Sequence, residues 1–133
     1  MLELGGSDMI ELERLIDGKK ITMSAIMIGD DIQVLSYGGD KPHIGAVSVA
    51  VPYERDGSAG ATVSTLTLLT HREDLLSRQV AESLCKHFKT VVSVSCGIHF
   101  DRISKELIAR IQDEVLDMGR ELQKGIMEWK KRT

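Results

Sequence analysis

Apolar and polar positions change rhythm halfway along this chain. In the first half they alternate in short, β-branched runs separated by turn residues. Met9–Ile16, Lys20–Ile28, Ile32–Tyr37, Ile44–Val51 and Ala61–Leu69 each read as a strand. Asp17-Gly18 is a two-residue hairpin signal, and Gly29-Asp30-Asp31 marks the next turn. Pro52 stops the fourth run, and the polar stretch 53–60, YERDGSAG, reads as a loop.

The second half opens with a helical period. Leu76, Val80, Leu84 and Phe88 recur every fourth residue, with Ala81 and Cys85 beside them, and form one apolar stripe. Thr70 and Glu73 fit a capping box in front of it. Residues 90–100, TVVSVSCGIHF, return to period two. From Ile103 on, Leu107, Ile108, Ile111, Val115, Leu122 and Ile126 mark a second, long helix, with Gly119 and Gly125 expected to weaken its far end.

The order β-β-β-β-β-α-β-α predicts an α+β two-layer sandwich: a mostly antiparallel sheet of about six strands with two helices on one face. No linker or repeat divides residues 1–133, so a single domain is expected. An antiparallel meander followed by one crossover would set the last strand parallel to the fifth. Along that last strand Val92, Val94, Cys96, Ile98 and Phe100 belong under the helices. Val91, Ser93, Ser95, Gly97 and His99 face the other way, toward solvent, a cleft or a partner subunit.

Composition narrows the function classes. With 42% hydrophobic and 28% charged residues the chain is built to fold. Its net charge of −3 offers no basic face for nucleic acid. No apolar run is long enough to span a bilayer and the N-terminus has no leader pattern, so a cytoplasmic, soluble protein is expected. Cys85 and Cys96 sit in apolar segments and read as reduced packing residues.

Candidate chemistry gathers at element boundaries. The corner 38-GGDKPH-43 precedes the fourth strand, His71 and Arg72 open the first helix, and His99 ends the last strand two residues before Asp101. The expected strand directions bring His43, His71 and His99 to one end of the sheet. Gly38 and Gly39 can take positive φ and aim successive amides at one point, and Gly45 leaves room for close approach. Lys41 and Arg72 add positive charge, so an anion site is physically reasonable. The same residues also fit plain structural roles: a turn at GGDKP, a solvated His71, an Asp101 N-cap, and a Gly97 that relieves crowding. Three histidines with Asp40 and Asp101 could form a metal site, but no pair has the tight spacing that marks one. No serine or cysteine stands in a nucleophile context, and no catalytic residue is assigned.

The motifs GGDKPHIGAV, THRED and CGIHFDRIS, in that order, resemble the prenylated-flavin chaperone family. These are the small D-type accessory subunits of non-oxidative hydroxyarylic acid decarboxylases acting on gallate or 4-hydroxybenzoate. The similarity spans roughly residues 32–110, with matched positions Gly38, Gly39, Pro42, His43, Gly45, His71, Glu73, Gly97 and His99. What the resemblance implies is a binding role without catalysis, since the catalytic flavin belongs to the large decarboxylase subunit. Prenylated FMN is the implied ligand, and Gly38, Gly39, Lys41, His43, Gly45, His71, Arg72, Gly97 and His99 are the positions expected to meet it. The decarboxylase large subunit is the implied partner, and a homo-oligomer, a dimer first, is expected. Two other readings stand beside this one: a small enzyme using the His43/His71/His99 cluster for acid–base or metal chemistry, and a ligand-free interaction subunit.

Overall fold

The structure is a computed structural model and describes residues 2–4, 8–68 and 73–133; for residues 2–4 and 73 it gives the backbone alone. The strands are β1 (Leu2–Leu4), β2 (Met9–Ile16), β3 (Lys19–Ile28), β4 (Asp31–Gly39), β5 (Ala46–Arg55), β6 (Ser58–Thr67) and β7 (Val92–His99). The helices are α1 (Glu73–Phe88) and α2 (Lys105–Arg132). The α+β sandwich is as expected, with a short first strand added to the sheet. No described helix is long and apolar enough to cross a membrane.

Strand order corrects one expectation. The sheet runs β1-β2-β3-β4-β7-β5-β6, so β7 inserts between β4 and β5 and does not lie beside β6. It pairs parallel to β4 and antiparallel to β5. Its direction relative to β6 is the one predicted, but it interrupts the expected antiparallel meander between β4 and β5. A central place suits β7, because Val92, Val94 and Cys96 are buried and a strand this apolar gains most with partners on both sides. The β4–β5 link, residues 40–45, therefore has to step across the width of a strand.

Two local expectations also change. Residues 53–60 are not a loop: β5 and β6 form one continuous hairpin that turns at Asp56 (φ 53°) and Gly57 (φ 81°). Both central residues have positive φ, the geometry that Asp-Gly favours and that Asp17-Gly18 also adopts. Gly119 and Gly125 do not interrupt α2, which continues to Arg132. A β-carbon on Gly119 would lie 3.6 Å from Val80, an ordinary van der Waals contact, so the packing of the two helices does not require a glycine. The N-cap of α2 is Ser104, whose hydroxyl accepts the Leu107 amide at 3.1 Å, and not Asp101. The expected cap at Thr70 and Glu73 lies outside the described residues.

The core sits between the sheet and the helices. Leu76, Val80, Ala81, Leu84 and Cys85 of α1 pack over β5, β6 and β7. Ile111, Val115, Met118, Leu122 and Ile126 of α2 are buried, and that helix packs on β2, β3 and α1. Both cysteines are free and buried, and burial pushes the Cys85 thiol pKa up. Ser48 and Ser77, fully buried, join Thr65 through 2.8 Å hydroxyl contacts and so tie α1 to β5 and β6.

Strand alternation assigns the opposite face. Thr22, Ser24 and Ile26 of β3 stand there, as do Gln33, Leu35 and Tyr37 of β4. They are followed by Ser93, Ser95 and Gly97 of β7, Val47, Val49 and Val51 of β5, and Thr62, Ser64 and Leu66 of β6. None of these side chains is charged. Charge on this face stands at its margins: Glu11 and Glu13 of β2, Lys20 of β3, Asp31 of β4 and Arg55 of β5.

Candidate functional site

The sheet end where β4 and β7 finish and β5 begins is built from close backbone approaches. Gly38 (φ 153°) and Gly39 (φ 82°) close β4. A β-carbon on Gly38 would meet the Lys20 carbonyl and come within 2.8 Å of Ile21 Cα. On Gly39 it would meet the carbonyl of His99. No other residue fits this corner without moving a neighbouring strand.

From there residues 40–45 fold back along the end of β7. The amides of Asp40 and Lys41 donate to the His99 carbonyl at 2.6 and 3.4 Å. The His43 amide donates to the Gly97 carbonyl at 3.4 Å and the Gly45 amide to the Cys96 carbonyl at 2.9 Å. A β-carbon on Gly97 would meet the His43 carbonyl, so Gly97 is the gap through which the crossover passes. The peptide groups that the sequence places in an open anion cradle are thus, from Asp40 onward, used to hold the corner on β7. What the corner offers outward is side chains.

Those side chains converge. The rings of His43 and His99 lie 6.4 Å apart, centroid to centroid, at 76°. His43 Nδ1 is 3.0 Å from the Lys41 carbonyl, so that nitrogen carries the proton it donates. His99 Nε2 donates to Asp101 Oδ1 at 3.2 Å. Asp40 braces the other side: its Oδ2 accepts the Asp101 amide at 3.0 Å and its Oδ1 pairs with Lys19 Nζ at 2.9 Å. The amide bond and the lysine hold the Asp40 carboxyl below the usual carboxylate range, and the same contact holds Lys19 above the usual ammonium value. Lys41 is exposed beside this group. A hollow of about 490 Å³ opens from Arg102 toward Arg110 and Asp17.

Of the expected site residues, the structure brings Gly38, Gly39, Lys41, His43, Gly45, Gly97 and His99 to one rim. His71 and Arg72 lie outside the described residues. Leu68, just ahead of them, donates its amide to the Gly45 carbonyl at 2.9 Å and so stands at this rim. Tyr37 is half-buried on the helix-free face beside Gly97, whereas Phe100 is in the core and presents no ring to a ligand. Lys19 was invisible to sequence reasoning, because only the β3–β4 register brings it to Asp40. Among the described residues no group of three His, Cys, Asp or Glu side chains is arranged to hold a metal ion.

Comparison with known proteins adds three findings. Residues 16–127 match the family described as the prenylated flavin chaperone LpdD-like domain. Protein LpdD of Lactiplantibacillus plantarum is 25% identical over 107 residues, covering 75% of this chain and 74% of that protein. Among solved structures, one titled as a novel chaperone complex for yeast 20S proteasome assembly superposes with a TM-score of 0.58 at 15% identity. It covers 89% of this chain and 97% of that one, a likeness of fold alone.

Proposed function

This chain belongs to the prenylated flavin chaperone LpdD-like family, and from that premise we propose that it is a non-catalytic accessory protein that binds prenylated FMN. It holds the cofactor for loading into a hydroxyarylic acid decarboxylase, whose large subunit uses the flavin for decarboxylation. The binding place in this reading is the rim around His43 and His99.

The observation that carries the reading is the meeting of His43 and His99, far apart in sequence, at 6.4 Å beside an exposed lysine. A flavin phosphate needs cations and hydrogen-bond donors, and Lys41, the two imidazoles and Arg102 offer them. A flat, partly apolar ring system has the exposed Ile44 to lie against. The fit is of a particular kind. With the amides of the corner already bonded, the phosphate is held by exposed side chains and not by a buried cradle. Such contacts are weakened by solvent and salt, which suits a protein that must give its cargo up.

The test is co-expression with a flavin prenyltransferase, followed by the absorbance of the purified protein and the mass of any released ligand. Wild-type protein is expected to carry prenylated FMN. The paired variant His43→Ala/His99→Ala is expected to lose it and to lower the yield of active decarboxylase in a three-way co-expression. Colourless wild-type protein together with unchanged decarboxylase yield would sink the reading.

A further inference from the structure

One surface is out of keeping with a chain in which 28% of residues are charged. The sheet face away from the helices carries no Asp, Glu, Lys or Arg across its central positions from β3 to β6. A water-facing antiparallel sheet ordinarily alternates into charged and polar residues, and loss of charge is the mark of an interface core. Apolar side chains stand out from it: Val49 is 38% exposed, Val51 49% and Leu66 64%.

We infer that this face is where a second copy of the chain packs, sheet on sheet, so that the helices form the outer layers of a two-fold dimer. The relief of the face favours its own copy. Val47 and Val49 of β5 lie directly beside Ser95 and Ser93 of β7, so a valine ridge runs along a serine trough. A two-fold axis along the strands, between β5 and β7, sets each copy's ridge over the other's trough. Its central positions carry no charge, so they hold no pattern that would select an oppositely charged partner.

The size is also right. Five strands at about 4.8 Å spacing and about 20 Å of strand length give on the order of 500 Å² per copy in projection. Side-chain relief raises that figure, bringing a pair to the lower part of the roughly 1,200–2,000 Å² of stable interfaces. The crossover at residues 40–45 bounds the face at one end and leaves the histidine rim outside it. This axis keeps strand direction, so the two rims emerge at the same end of the dimer. The inference does not depend on the flavin reading.

The test is the mass of the full chain in solution by light scattering or sedimentation equilibrium. Wild type is expected at twice the chain mass. Val49→Glu and Leu66→Glu, both at exposed positions, are expected to raise the dissociation constant at least ~100-fold by burying an unpaired charge, with circular dichroism unchanged. Leu75→Glu, on the exposed side of α1, is expected to leave the dimer intact. A monomeric wild type, or a dimer that survives both glutamate variants, overturns the inference. So does dissociation by Leu75→Glu alone, which would place the contact in the helix layer.

Discussion

The carbonyl of His43 stands where a β-carbon on Gly97 would have to be, and the next nitrogen, Ile44 N, is 3.0 Å from that point. The obstacle is backbone on both sides, held by the bond from the His43 amide to the Gly97 carbonyl, so neither can give way cheaply. Gly97→Ala is therefore expected to cost roughly 2–4 kcal/mol, well above the central value for point substitutions. Urea unfolding measures it. A loss below about 1 kcal/mol would mean that the crossover is slack and the rim not fixed by it.

Asp40 makes the rim sensitive to acid. Its carboxyl is held below its ordinary value first by the Asp101 amide and then by Lys19. A depressed folded-state value means that the charged form is favoured by folding. That stability is present above the ordinary carboxylate value and is lost as pH falls through the folded one. Asp40→Asn should be less stable than wild type at neutral pH, with the two curves converging below about pH 4. Urea midpoints across pH 2–7, in steps of about one unit, show whether they do. Parallel curves would assign the loss to shape and not to charge.

Arg14 is a second structural device, remote from the rim. Its guanidinium reaches from β2 to three carboxylates on one side of α2: Glu114 at 2.9 Å, Asp117 at 3.0 Å and Glu121 at 2.9 Å. Its side chain is only 25% exposed, so the contacts are partly shielded, and they hold the Asp117 carboxyl below its usual range. Arg14→Ala leaves three like charges facing one another and should cost about 1–3 kcal/mol, less as salt is raised. Arg14→Lys cannot reproduce the fork and should recover only part of it. Thermal unfolding in low and high salt checks both.

The buried hydroxyls between sheet and α1 give a third expectation. Ser48 has partners in both Ser77 and Thr65 at 2.8 Å. Ser48→Ala removes the link between the Ser77 and Thr65 hydroxyls, while Ser77 keeps its bond to the Asp74 carbonyl at 3.1 Å, and should destabilise by about 0.5–1.5 kcal/mol. Ser48→Ala with Ser77→Ala should cost less than the sum of the two single changes. A double-mutant cycle measures the coupling; strict additivity would argue that the hydroxyls act separately.

Lys41 bears on the proposed ligand. It is an exposed cation two residues from His43, and Lys41→Ala should weaken FMN binding by roughly 3–30-fold without affecting stability, with a difference that shrinks in high salt. Fluorescence titration with FMN at two ionic strengths reads this. Equal affinities would remove Lys41 from the site.

What the residues determined alone was everything governed by local periodicity. Alternation and the 3.6-residue stripe placed the elements from Met9 onward to within a few residues, because the side an apolar group must face is a local matter. Asp56-Gly57 obeys the same rule as Asp17-Gly18, but the polar residues around it hide the strand ends that it joins. The rim was legible in part: glycines and histidines at strand ends marked which residues to watch. Which strands lie side by side was settled only in three dimensions. Burying β7 on both flanks outweighed the simpler meander, and that choice sent residues 40–45 across its end. The crossover in turn consumed the amides, required Gly97, and laid His43 beside His99. Side-chain period is a property of neighbours along the chain, whereas strand order is a global minimum of exposed apolar surface, to which every element contributes at once.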